Sequence, residues 1–272
     1  MPPFSSSVGE RKIVNHLVVT KSTRQCQFST RPEESEIIVR FSFQFKGAVR
    51  SKNPADTSLR INSLLIFTCI VASVWAWQQP PIFAEHNLVV SFANLGKGRV
   101  LTLVAALFVH ANVLHLIGNM IFLFVFGNTL ERTVGPGKLL MVFFTGGILS
   151  FILSLPLMPH GTGMLGASAA IFTLAACVML VSPLKFSWLF LAPQGLVAII
   201  YFVYNVVVVA EKSRIPGYDP HIAYIAHIIG FVIGIPFGIA FSDRWKRNFL
   251  VTLVLFGIYL AILSGAWRTL FR

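Results

Sequence analysis

Five polar residues stand within or beside segments that otherwise read as hydrocarbon. They are His110, His115 and Asn119 in one apolar run, Ser168 in Gly166-Ala167-Ser168-Ala169, and His227 in a third run. Polar groups at membrane depth are costly and are kept for a task. These types suit acyl transfer. A serine hydroxyl is a weak nucleophile that needs a neighbouring base, and imidazole is the commonest such base. Imidazole and carboxamide N–H groups can also donate to a developing oxyanion, each well-placed donor contributing roughly 3–4 kcal/mol. The expected roles are nucleophile for Ser168, base for His227, and oxyanion donors for His115 and Asn119.

Each residue has a plainer reading beside the chemical one. Ser168 follows a glycine that permits a sharp turn and opens a helix whose free N–H groups suit an anion, yet serine is also a favoured N-cap. His227, Gly230, Gly234 and Gly238 share one helical face, and small residues four apart let membrane helices approach closely. That approach would bring a base within reach of a nucleophile, or it would serve packing alone. His115 and Asn119, four apart, share a face and could equally hydrogen-bond between helices. His110, His115 and His227 could form a three-histidine metal site, but there is no HExxH and no carboxylate between Glu131 and Glu211. No metal or other cofactor is expected. The missing acids also exclude a pair of catalytic carboxylates and argue against a carboxylate proton relay. A serine route here is expected to use a Ser–His dyad. A transporter using the histidines as a polar path is the non-hydrolytic alternative.

The elements that must position these groups are membrane spans. The 272 residues are 55% hydrophobic and 12% charged, with mean hydropathy +0.74, against about a quarter charged in soluble domains. The apolar residues pool into runs of about 17–25, the length that crosses roughly 30 Å of hydrocarbon. The runs expected to span are 61–77, 111–130, 138–157, 168–181, 187–210, 222–241 and 248–267, with a polar loop at 80–99 and a short interfacial stretch at 100–109. The fold class is all-α: a polytopic membrane helix bundle with a six-helix core at 61–241 and one C-terminal helix. Residues 1–60 are polar and basic, read as a cytosolic or disordered segment or an unused upstream start. The cluster Glu33, Glu34 and Glu36 argues against a mitochondrial presequence.

The net charge of +12 does not point to nucleic acid, because ten of the 22 Lys and Arg precede Ile61 and most others lie in short connections. Such charges orient spans. With the N-terminus cytosolic, the inner connections carry Arg132, Lys138, Lys185, Arg244, Lys246 and Arg247, and the outer ones Lys97, Arg99, Lys212 and Arg214. That orientation sets His110, His115, Ser168 and His227 near the outer ends of their helices. Cys26, Cys69 and Cys177 form no CxxC pair and are expected to be inert.

At these residues the chain resembles the rhomboid family of intramembrane serine proteases. The similarity is carried by His110-Ala-Asn-Val-Leu-His115-Leu-Ile-Gly-Asn119, by Gly166-Ala167-Ser168-Ala169, by Ala226-His227-Ile-Ile-Gly230-Phe-Val-Ile-Gly234, and by Gly127-Asn-Thr-Leu-Glu131-Arg132-Thr-Val-Gly135. The resemblance implies Ser168 as nucleophile and His227 as base. His115, Asn119 and the Ser168 backbone N–H would form the oxyanion hole, with His110 supporting the site near its mouth. It implies cleavage of single-pass membrane proteins at small residues followed by helix-weakening ones. The lack of a clean presequence favours a prokaryotic cell membrane over an organelle membrane, and the charge distribution leaves no nucleic-acid partner expected. A non-proteolytic relative that binds membrane clients is the alternative. Three positions depart from the family pattern. Leu101 and Thr102 stand where a Trp-Arg pair is usual, Ala169 replaces a glycine, and Phe172 replaces a tyrosine that packs under the base.

Overall fold

The computed structural model describes residues 60–159, 161–211 and 223–264; the basic segment, from residue 1 through 59, lies outside them. Helix α1 is Ile61–Ala76. Its N-terminal amides are satisfied from a distant helix, since the Glu131 carboxylate accepts from Ile61 N (2.8 Å) and Asn62 N (3.2 Å). A carboxylate at a helix N-terminus satisfies orphan donors and the dipole together.

The loop expected at 80–99 is built. It contains α2 (Pro81–Leu88) and α3 (Phe92–Gly96), followed by the short α4 (Thr102–Ala105). Pro81 opens α2 at the position where a missing N–H costs nothing, and the Ser91 hydroxyl caps α3 through Asn94 N. Polarity masked these turns because they are too short to show a period. Asn94 holds the loop from inside, donating to the carbonyls of Glu85 (2.7 Å) and Val89 (2.8 Å) while accepting from Arg99 (2.9 Å). Arg99 therefore braces the loop that lacks the Trp-Arg pair. Leu101 is 80% exposed and Thr102 is buried, its hydroxyl donating to the Arg99 carbonyl.

An apolar rod, Val113–Val134, follows. It comprises α5 (Val113–Phe122), a π-helical turn (Leu123–Gly127) and α6 (Asn128–Val134). The rod runs past the expected end at Leu130 and includes Glu131. The wide turn disturbs the regular backbone ladder, and Asn62 Nδ2 donates to the Leu123 carbonyl at 3.1 Å. Then come α7 (Pro136–Ser154), α8 (Ser168–Val181), α9 (Gln194–Glu211), α10 (Tyr224–Phe241) and α11 (Trp245–Leu263). The fifth run is corrected at its start. Residues 186–193 form a two-strand hairpin, Phe186–Ser187 against Ala192–Pro193, and the helix begins only at Gln194. Hydropathy does not register this boundary because Phe190, Leu191 and Ala192 are as apolar as the helix that follows.

Five helices among the described residues are long and apolar enough to cross a membrane, with α1 and α8 shorter. Many large apolar side chains face outward, Phe67 and Val254 among them, as suits a hydrocarbon solvent. The protein is a multi-pass helical membrane bundle. Its centre is α8, buried from Ala169 through Leu180, as expected of a helix apolar all round. Fourteen residues make only about 21 Å of helix, less than the hydrocarbon thickness. With protein on all sides, α8 need not reach both surfaces.

The stripe on α10 packs against this central helix. A Cβ at Gly230 would strike the Ala169 carbonyl, one at Gly234 the Thr173 carbonyl, and one at Gly238 the Leu180 side chain. Thr173 also donates to the Gly230 carbonyl at 2.9 Å. On its other side, α8 meets Gly146 and Gly147 of α7. Asn248 of α11 donates to the last carbonyls of α8, Leu180 (2.7 Å) and Val181 (3.2 Å).

Candidate active site

Ser168 is the first residue of α8, and Ala167 is the N-cap, with no side-chain cap. The serine is therefore not capping its helix. Its Oγ lies 2.7 Å from His227 Nε2, joining residues 59 apart in sequence across the α8–α10 contact. The glycine face makes that distance attainable. Phe172, one turn below Ser168, stacks on the His227 ring at 4.6 Å between centroids and 7° between planes, so the phenylalanine keeps the stacking surface that the tyrosine would give.

The turn before the serine is held by three contacts. Gly166 has φ +112°, a conformation that disfavours any side chain. Its N–H donates to the Ala106 carbonyl at 2.7 Å, and a Cβ there would lie 2.8 Å from His115 Cε1. The same loop pairs with the built loop through Val90 and Met164, each N–H donating to the other's carbonyl. Third, the Ala167 N–H donates to His110 Nε2 at 3.3 Å.

His110 belongs to the scaffold of the site. It is 1% exposed. Ser73 of α1 donates to the Phe108 carbonyl (3.2 Å), accepts from His110 N (3.1 Å), and lies 3.0 Å from His110 Nδ1. With the serine proton already given away, Nδ1 is the donor and Nε2 is left to accept from Ala167. Trp77 Nε1 donates to the His110 carbonyl at 2.8 Å. The histidine thus fastens α1 to the residue preceding Ser168.

His115 and Asn119 come from α5, which opens with Asn112 Oδ1 accepting from His115 N at 2.8 Å. His115 Nδ1 receives the Ala111 N–H at 3.5 Å, which favours Nε2 as the protonated nitrogen. Asn119 Nδ2 donates to the His115 carbonyl at 2.8 Å; a carboxamide has a second N–H. Both residues, with Ser168 and His227, line one cavity of about 230 Å³, room for several waters. Its remaining walls include Phe122, Phe126, Phe172 and Tyr201. The structure thus brings Ser168, His227, His115 and Asn119 to one cavity and sets Gly166, Gly230, Gly234 and His110 behind it.

One residue was missed. Asn205 of α9 is 2% exposed, and its Oδ1 lies 2.8 Å from His227 Nδ1. The signal was present in the sequence: a lone carboxamide deep in an apolar run, the same signal that marked Asn119. With no carboxylate between Glu131 and Glu211, the third partner of the histidine is a neutral amide.

Residues 97–244, more than half of the chain, match the family model described as Rhomboid domain. The chain is 26% identical over 227 residues to Rhomboid-like protein 11, chloroplastic, of Arabidopsis thaliana, covering 80% of this chain and 76% of that one. Over 145 residues it is 27% identical to Rhomboid protease GlpG of Haemophilus influenzae, covering 52% and 69%. It is 29% identical over 173 residues to Inactive rhomboid protein 2 of Homo sapiens, covering 58% of this chain and 19% of that much longer one. The matched segment holds α4 through α10, the helices that carry every wall of the cavity, and on that match the chain belongs to the rhomboid family.

Proposed function

We propose that this protein is an intramembrane serine endopeptidase that cleaves single-pass transmembrane proteins through an acyl-enzyme. The observation that carries the reading is the 2.7 Å approach of Ser168 Oγ to His227 Nε2 at a cavity inside an apolar bundle. His227 takes the hydroxyl proton as Oγ attacks the scissile carbonyl, then gives it to the departing amine. Water, activated by the same imidazole, releases the acyl group. The Asn119 amide, the His115 ring and the Ser168 N–H stabilise the oxyanion. A transmembrane substrate hides its carbonyls in helical hydrogen bonds, so the segment cut must unwind. Small residues at the cut and helix-weakening ones beyond it fit that need.

The test is cleavage of a purified single-pass substrate with a small-residue site, beside Ser168→Ala and His227→Ala. Product from the wild type alone supports the proposal; product from both variants overturns it. The second reading, a non-proteolytic client-binding protein, is favoured by the similarity to a protein named as inactive. Fluorophosphonate labelling of Ser168 separates the two, because only an activated serine reacts.

The proposed orientation puts the N-terminus in the cytosol and the cavity mouth on the outer side, on the loop charges alone. A prokaryotic cell membrane was the expected location. The relatives include a chloroplast protein as well as a bacterial one, so an organelle membrane stands beside it.

A further inference from the structure

We infer that Asn205 is a positioning residue that fixes the tautomer of His227; the inference rests on the proteolytic reading of the same site. A base accepting the Ser168 proton at Nε2 must carry its own proton on Nδ1. Nothing in an isolated imidazole ensures this, and a hydroxyl facing Nε2 can accept a proton as readily as donate one. The choice falls to the group facing Nδ1.

That group is the carboxamide of Asn205, and its orientation is determined. Asn205 Nδ2 donates to the Tyr201 carbonyl at 2.8 Å, one turn back on α9. The amide nitrogen is thereby turned away from the ring and Oδ1 is turned toward it, 2.8 Å from His227 Nδ1. An amide oxygen only accepts, so Nδ1 donates and Nε2 is left with a lone pair for the serine proton. The relay runs from Ser168 to His227 to Asn205 to the Tyr201 carbonyl, through α8, α10 and α9. Turned the other way, the amide would present N–H to Nδ1 and force the wrong tautomer. In serine hydrolases with an acidic third member, that error costs about 10⁴-fold in kcat. A neutral asparagine serves as the third member in some cysteine hydrolases.

Burial strengthens the argument. A carboxamide 2% exposed in an apolar helix carries a desolvation cost that is offset only if its donors and acceptor are used. Both ends of Asn205 are used, one on its own backbone and the other on the base. As the imidazolium forms, the amide dipole also points its negative end at the new charge, which stabilises the transition state without a buried carboxylate.

The experiment uses the full chain in detergent, with Asn205→Leu to remove the acceptor and Asn205→Asp to restore one. The first readout is ¹⁵N NMR of histidine-labelled protein, with the His227 signal identified by its absence in His227→Ala. The second is kcat and KM on a model single-pass substrate. We expect the wild-type proton on Nδ1, its loss from Nδ1 in Asn205→Leu, and a fall in kcat of about 10²-fold or more with KM within about twofold. Asn205→Asp is expected to recover the Nδ1 proton and at least about a tenth of kcat. The inference is overturned if Asn205→Leu keeps the proton on Nδ1, or if its kcat stays within about twofold of wild type. It is overturned equally if Asn205→Asp restores neither the tautomer nor kcat, the signature of a packing residue. A wild type that cleaves nothing would count against the protease, while the tautomer readout would still decide the role of Asn205.

Discussion

Gly166 shows how tightly the residues of the site constrain one another. Its backbone adopts φ +112°, and a Cβ would meet the His115 ring at Cε1 (2.8 Å) and Nε2 (3.0 Å). Gly166→Ala is expected to cost about 1–2 kcal/mol of backbone strain and to push His115 out of place. A 1 Å misplacement can cost about 10²-fold in rate. Cleavage should therefore fall by at least about tenfold while the protein still purifies as a folded species. Unchanged kcat in a steady-state assay would show that His115 is not held by this contact. At this scale the sequence was informative where a polar residue stood alone among apolar ones, as Ser168, His227, His115 and Asn119 did. It was silent on partners: nothing in the sequence shows that Ser73 serves His110, or that Asn205 meets His227, because both contacts join segments distant in sequence.

Helices place these residues, and the α8–α10 contact matters most. Gly234→Val would drive a side chain into the Thr173 carbonyl and to within 2.8 Å of Ala176 Cβ. Overpacking of this kind costs roughly 1–3 kcal/mol. It should also widen the Ser168–His227 separation, so both the melting temperature in detergent and cleavage are expected to drop. Gly257 of α11 has nothing within 4 Å of its Cβ position, and Gly257→Ala should leave both unchanged or raise stability by a few tenths to about 1 kcal/mol. Equal losses in the two variants would mean that helix propensity, not contact, governs these sites. The glycine period made this face readable in advance. A second element-scale prediction concerns Glu131. Glu131→Gln removes the charge facing the amides of Ile61 and Asn62 and should lower stability by about 0.3–2 kcal/mol, with activity preserved in the surviving fold. A melting temperature within error of wild type would argue against the cap. That role was not legible, since Glu131 read simply as the end of a span. Nor was the hairpin before α9, since hydropathy alone does not mark where an apolar stretch changes from strand to helix.

At the scale of the molecule, the proposed reading requires a bundle that admits water to a serine inside hydrocarbon. A short central helix, buried along its length, has an uncapped first turn that meets a cavity with room for several waters. Surrounding helices bring His227, His115, Asn119 and an aromatic wall to that cavity, the base and donors of the proposed reaction. The polytopic class was clear from composition, because 12% charge cannot solvate a chain of this length in water. The centrality of α8 was not, since its 14 residues look like one more span until its burial is known. The measurement that tests the account most directly is cleavage of a purified single-pass substrate by wild type, Ser168→Ala and His227→Ala, with all three confirmed folded by thermal melting. The account predicts a discrete product from the wild type and none from either variant; equal product from all three would contradict it.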